Sequence, residues 1–181
     1  MPSGSDFLKL ALSQVGDRYV LGAPVQINNA DPDAHDCSGL VEWASGRLGN
    51  RLQRHAQLQY NTVKAKGLDI PVTDALNIPG ALLWKYTTAT SSSRPRPIYH
   101  VGISVGNGKD VVEAKGSKWG VVYSSSPKVA VHRTDAAGDW DLAGLVPGLT
   151  YGKKNALKLA LPLILGAGLG LLLIKKQRKG G

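Results

Sequence analysis

Asp36-Cys37-Ser38-Gly39-Leu40-Val41 is the stretch whose reading decides the fold. It holds the only cysteine of the 181-residue chain, so no internal disulfide can form. Asp36 and Ser38 are natural helix starters, because a short side-chain oxygen accepts from an unpaired N–H of the first turn. Leu40, Val41 and Trp43 then direct apolar side chains toward a core. Cys37 is thereby placed in the first turn of a helix. There the unpaired backbone N–H groups and the helix dipole favour the thiolate, the reactive form of cysteine. The alternative for a lone cysteine is a small buried hydrophobe, and the surrounding chain decides between the two.

Working outward, Phe7, Leu8, Ala11, Leu12 and Val15 form an apolar set at helical spacing, predicting a helix from Asp6 to Gly16 capped by Ser5 or Asp6. Tyr19 to Gly22 reads as a short extended piece and Ala23 to His35 as a polar loop. The Cys37 helix is expected to run to about Leu48 and stop at Gly49-Asn50; a further helix covers Ala56 to Lys66, closed by Gly67. Strands follow. Ala81 to Tyr86 is entered through Pro79-Gly80, and Tyr99 to Val105 turns through Gly106-Asn107-Gly108 into Asp110 to Ala114 as a β-hairpin. Residues 121–123 and 129–131 read as short strands, and Leu142 to Leu149 closes the body. Helices first and antiparallel strands afterward indicate an α+β domain over residues 1–150.

The formal net charge of +9 first suggests a nucleic-acid partner. Seven of the 22 Lys and Arg lie from Gly152 onward with no acid among them, leaving 15 bases against 13 acids in residues 1–151. A nucleic-acid-binding face would need its cations clustered on the body, so that partner is not expected. Arg47, Arg51 and Arg54 recur near helical spacing and read as a solvated helix face. The tail, 151–181, is different in kind: Leu159 to Ile174 carries no charge, lysines flank both ends, and the run predicts a membrane helix at about 157–174. Gly166 and Gly170 offer a spacing at which two such helices pack. Met1 to Asp6 shows no basic and apolar run of a signal peptide.

A cysteine nucleophile needs a base and a group to orient that base. The histidines are His35, His55, His100 and His132. His35 is too close to Cys37 in sequence to face it across a helix start, His55 sits in a basic stretch and His132 near the domain edge. His100 opens an apolar strand, where a polar ring has little reason to be unless it faces a cleft, and it is favoured as the base. If Gly106 to Gly108 form the turn, Glu113 returns opposite His100 and can hold one imidazole nitrogen. No metal-binding cluster is apparent and no cofactor is expected.

In this order the motifs resemble those of the NlpC/P60 cell-wall cysteine peptidases. Gly16-Asp17-Arg18-Tyr19-Val20-Leu21-Gly22 is similar to the family's Tyr-containing segment. Asp36-Cys37-Ser38-Gly39-Leu40-Val41 matches its nucleophile motif, Pro79-Gly80-Ala81-Leu82-Leu83 its Pro-Gly-Asp-Leu strand motif, and His100-Val101-Gly102-Ile103 its base hairpin. The resemblance implies a papain-like α+β fold, with Cys37 as nucleophile, His100 as base and Glu113 as third polar residue. It further implies Tyr19, with Asp36 and Ser38, at the substrate cleft, and a Cys37 backbone N–H contributing to the oxyanion site. Ala81 stands where the family has Asp, Glu113 where it often has His, Asn or Gln, and Ala23-Pro24 where a small Gly-rich turn is usual.

The implied substrate is peptidoglycan, cut at amide bonds of stem peptides, especially after a D-γ-glutamyl residue. With the tail, this gives the expectation of a phage virion protein that helps to breach the host wall, its partners being stem peptides, a membrane and other virion proteins. Two alternatives stand beside it. Papain-like lipid acyltransferases also end in a membrane helix, but their base precedes their cysteine, whereas His100 follows Cys37. A non-catalytic wall-binding protein would have no use for both residues.

Overall fold

The computed structural model describes residues 1–92, 95–115, 121–125 and 140–152, the strand 121–125 by its backbone. Apart from Tyr151 and Gly152 these belong to one compact unit, Met1–Thr150; a second unit is Tyr151–Gly181. The expected membrane helix at about 157–174 with Gly166 and Gly170, the strand at 129–131 and His132 lie outside the described residues. Among the described residues no helix is long and apolar enough to cross a membrane.

The first helix, α1 (Gly4–Ser13), starts earlier than expected because its cap is Ser3. Ser3 Oγ accepts from the Asp6 N–H at 3.2 Å while the Asp6 carboxylate accepts from the Ser3 N–H at 2.9 Å. Asp6 is thus the reciprocal partner of a capping box, three residues into the structure it was expected to begin. Two short strands, β1 (Arg18–Tyr19) and β2 (Ala34–His35), pair in parallel and pin both ends of the polar loop; β2 was not anticipated, since two residues carry no readable period. Next come α2 (Cys37–Arg47), α3 (Ala56–Ala65) and a one-turn α4 (Val72–Ala75) that the sequence did not announce. Gly49 and Gly67, at φ 75° and 64°, end α2 and α3 as expected.

The strands β3 (Leu82–Tyr86), β4 (Ile98–Ser104), β5 (Asp110–Ala114), β6 (Val121–Ser125) and β7 (Leu142–Gly144) pair antiparallel in the order β6-β5-β4-β3-β7 among the described residues. The period of two divides the strand residues between faces. Leu82 and Trp84, Val101 and Ile103, Val112 and Ala114 share a core with Phe7, Leu8 and Ala11 of α1, Leu40, Val41 and Ala44 of α2, and Tyr60 and Val63 of α3. Lys85, His100, Gly102 and Glu113 alternate with that set, so polar chemistry is gathered on the residues the helical core does not use.

Pro79-Gly80 makes the entry to β3. The Gly80 N–H donates to the Ser104 carbonyl at 2.9 Å, φ is 79°, and a Cβ there would overlap the Gly4 carbonyl. Gly80→Ala is therefore expected to cost more than about 1 kcal/mol, read as a lowered urea midpoint at unchanged slope. An unaltered midpoint would show that this close approach does not constrain the fold.

Candidate active site

Asp36 is the N-cap of α2, with φ −97° and ψ 175°. One carboxylate oxygen accepts from the Gly39 N–H at 2.6 Å and from Ser38 Oγ at 3.0 Å. The other accepts from the Gly22 N–H at 2.9 Å and from Arg54 Nη2 at 2.5 Å. Burial works against the charge, but the Arg54 bond and the Gly39 and Gly22 N–H groups outweigh it and hold the carboxyl below its usual range. This single side chain fixes the start of α2, and so fixes Cys37 as its first residue.

Gln59, fully buried on α3, donates to the Ser38 carbonyl at 2.9 Å and ties the same turn to the third helix. Tyr19 packs against the core beside it. Its phenol is pushed up by burial first and then by the electrostatic influence of Cys37 and Asp36. Tyr19, Asp36, Cys37 and Ser38 line one cleft of about 510 Å3, together with Arg54, His55 and Arg96. The three cationic or titratable residues were missed from sequence. Arg51 and Arg54 do not form a solvated helix face: both lie beyond α2, Arg51 bound to the buried Glu42 at 2.6 Å and Arg54 to Asp36. Their spacing continues a helical count past the glycine that ends the helix. His55 has φ 77°, the one non-glycine residue among those described with a positive φ.

His100 Nε2 lies 2.5 Å from Glu113 Oε2, and Cys37 is near enough to the His100 ring to favour its charged form. With Nε2 committed to the carboxylate, Nδ1 is the ring nitrogen left for a second partner. The route to this contact differs from the expected one. Ile103 pairs with Val112 and Ser104 with Val111, a register that, continued, sets Glu113 opposite Gly102 rather than opposite His100. The bond is a diagonal one.

Burial alone would lower the His100 pKa, but the hydrogen bonds to Cys37 and Glu113 and their negative charges raise it to about 9. Glu113, 1% exposed, is opposed by burial and favoured by His100, Lys115 and Lys85, which bring it down to about 2. Lys115 Nζ stands 3.6 Å from its other oxygen. His35 is the contrasting case: burial pushes it down to about 4, and its neutral ring donates from Nε2 to Gln14 Oε1 at 3.1 Å. It is a satisfied core histidine. Among the described residues no group of three or more His, Cys, Asp or Glu could hold a metal ion.

The sequence matches no protein-family model and no curated protein. The structure is similar to that of NlpC2 from Trichomonas vaginalis at 26% identity and TM-score 0.59, covering 83% of this chain and 47% of that one. It is similar to the peptidoglycan hydrolase RipB from Mycobacterium tuberculosis at 25% identity and TM-score 0.56, covering 79% and 64%. The NlpC/p60 domain of the peptidoglycan hydrolase SagA matches at 23% identity and TM-score 0.56, covering 78% and 97%. The chain has the fold of NlpC/P60 domains. The chain spans about half the length of the Trichomonas NlpC2 structure, 47%, and nearly all of the SagA domain, 97%, so the similarity concerns the NlpC/P60 domain.

Because the folded His100 pKa lies above 6.5, its contribution to stability is complete below about pH 6.5 and is lost as pH rises through about 9. Because the folded Glu113 pKa lies below 4.5, its contribution is present above about pH 4.5 and is lost as pH falls through about 2. Glu113→Gln should remove the acid-side dependence and weaken the alkaline one, so that the stability advantage of the parent, greatest between those windows, narrows on either side when unfolding is measured against pH. A constant difference at every pH would show that the pair is not ionised in the folded protein.

Proposed function

We propose that this chain is a peptidoglycan hydrolase of the cysteine peptidase type, cleaving amide bonds of wall stem peptides through a thioester. The observation that carries the reading is the bond of His100 to the buried Glu113, with Cys37 near enough to favour the charged imidazole. The structural similarity to RipB and to the SagA domain, both peptidoglycan hydrolases by name, supports the substrate class.

In this reading acyl transfer runs as follows. The Cys37 thiolate attacks the amide carbonyl carbon and forms the C–S bond, and the oxyanion is met by backbone N–H groups of the first turn of α2, which has no intrahelical acceptor for them. His100, protonated at Nδ1, donates that proton to the leaving amine as the C–N bond breaks. A water then attacks the thioester and gives its proton to Nδ1, the thiolate departs, and the imidazolium is restored. Glu113 stays ionised throughout, holding Nε2–H and the positive charge. Arg54, His55 and Arg96 line the cleft beside the sulfur and suit a substrate that carries carboxylates.

A virion setting with the tail as membrane segment is part of the proposal and rests on the sequence of residues 152–181. Finding the chain in purified virions by mass spectrometry would support that setting, and finding it in cell fractions alone would remove it.

Full-length protein should release new amines from purified peptidoglycan, and Cys37→Ala or His100→Ala should lower that release by at least ~10³-fold. Undiminished release by a pure Cys37→Ala protein would overturn the reading.

A further inference from the structure

We propose that Trp140 is a positioning residue for His100, its indole lying over the imidazole as a fixed plate that sets the ring plane and keeps water from the His100–Glu113 contact. This rests on the acid–base role given to His100 above. The two rings are stacked, with centroids 5.8 Å apart and planes 18° from parallel. Trp140 is buried, at 8% exposure. It stands 40 residues along the chain from His100, and nothing in its local sequence, Gly138-Asp139-Trp140-Asp141, points to the site.

Two further residues seat the indole. His100 and Gly102 lie on the same face of β4, and a Cβ at Gly102 would come within 2.7 Å of the indole Cη2 and 2.6 Å of Val111 Cγ1. The glycine in His100-Val101-Gly102 is therefore the floor of the tryptophan's place. Lys85 is the direct cross-strand partner of His100, and its ammonium sits 5.1 Å from the Trp140 ring centroid, a cation–π distance.

The plate matters because the imidazole must present Nδ1 and Nε2 to different partners. Rotation about χ2 is broad and nearly two-fold for histidine, and a half-turn exchanges the two nitrogens. Such a rotation passes through an orientation perpendicular to the indole, which the stacked ring blocks. The aromatic face also favours the imidazolium over the neutral ring.

The test uses the full-length chain with Trp140→Leu, Trp140→Phe and Gly102→Ala. Activity on a defined stem peptide and the titration midpoint of the His100 ring nitrogens by NMR are both measured. Trp140→Leu should lower kcat about 10- to 100-fold with KM changed less than about two-fold. It should move the His100 midpoint from about 9 toward the ordinary 6.5, because admitted water competes for the bonds and screens the charges of Cys37 and Glu113, a loss that outweighs the relief of burial. Trp140→Phe, which keeps a flat ring, should recover most of both, and Gly102→Ala should behave like Trp140→Leu. An unmoved midpoint in a folded Trp140→Leu protein, or Trp140→Phe no better than Trp140→Leu, would overturn the proposal. If the parent protein cuts no peptidoglycan, the peptidase reading fails by itself, and the NMR midpoints still decide the role of Trp140.

Discussion

A carboxylate buried to 1% exposure between strands is the constraint on which the site depends. An unpaired charge there would cost several kcal/mol, so Glu113 must be surrounded by cations and donors or be protonated. The structure supplies His100 on one oxygen, Lys115 on the other and the charge of Lys85 nearby. Once Glu113 holds Nε2, Nδ1 is the ring nitrogen left for a second partner. The sheet thereby converts the cost of burying one acid into the placement of an imidazole.

A second acid carries the other half of the site. An open carboxylate one residue from Cys37 would repel negative charge on the sulfur. Asp36 avoids this by spending both oxygens on its surroundings: Gly39 and Ser38 on one side, Gly22 and Arg54 on the other. It caps the helix that begins at Cys37 and fastens the segment after Tyr19 to it through the Gly22 N–H. The two acids act oppositely on their neighbours, Glu113 favouring positive charge at His100 while Asp36 is neutralised by Arg54.

Much of this was legible in the residues. The helix at Cys37, its stop at Gly49 and the hairpin through Gly106 to Gly108 follow from capping and turn chemistry that acts over a few positions. The pairing of His100 with Glu113 was legible too, although its diagonal register was not, because register is set by where the turn closes and not by strand composition. What escaped notice was contact at long range. Trp140 reaches His100 only through tertiary packing, and Arg54 reaches Asp36 only because the chain turns back after α2. Ser3 was passed over as a cap because Asp6, its reciprocal partner, carries the same signal three residues later.

The central claim is that Cys37 carries the acyl group of a cleaved wall peptide. Mixing the full-length protein with a defined stem peptide, quenching in acid at early times and measuring intact protein mass tests it most directly. The account predicts an added mass equal to the acyl fragment, located on the peptide containing Cys37, appearing before free acid product and absent in Cys37→Ser. Product formation with no adduct on Cys37 at any time, and with full activity in Cys37→Ser, would contradict it.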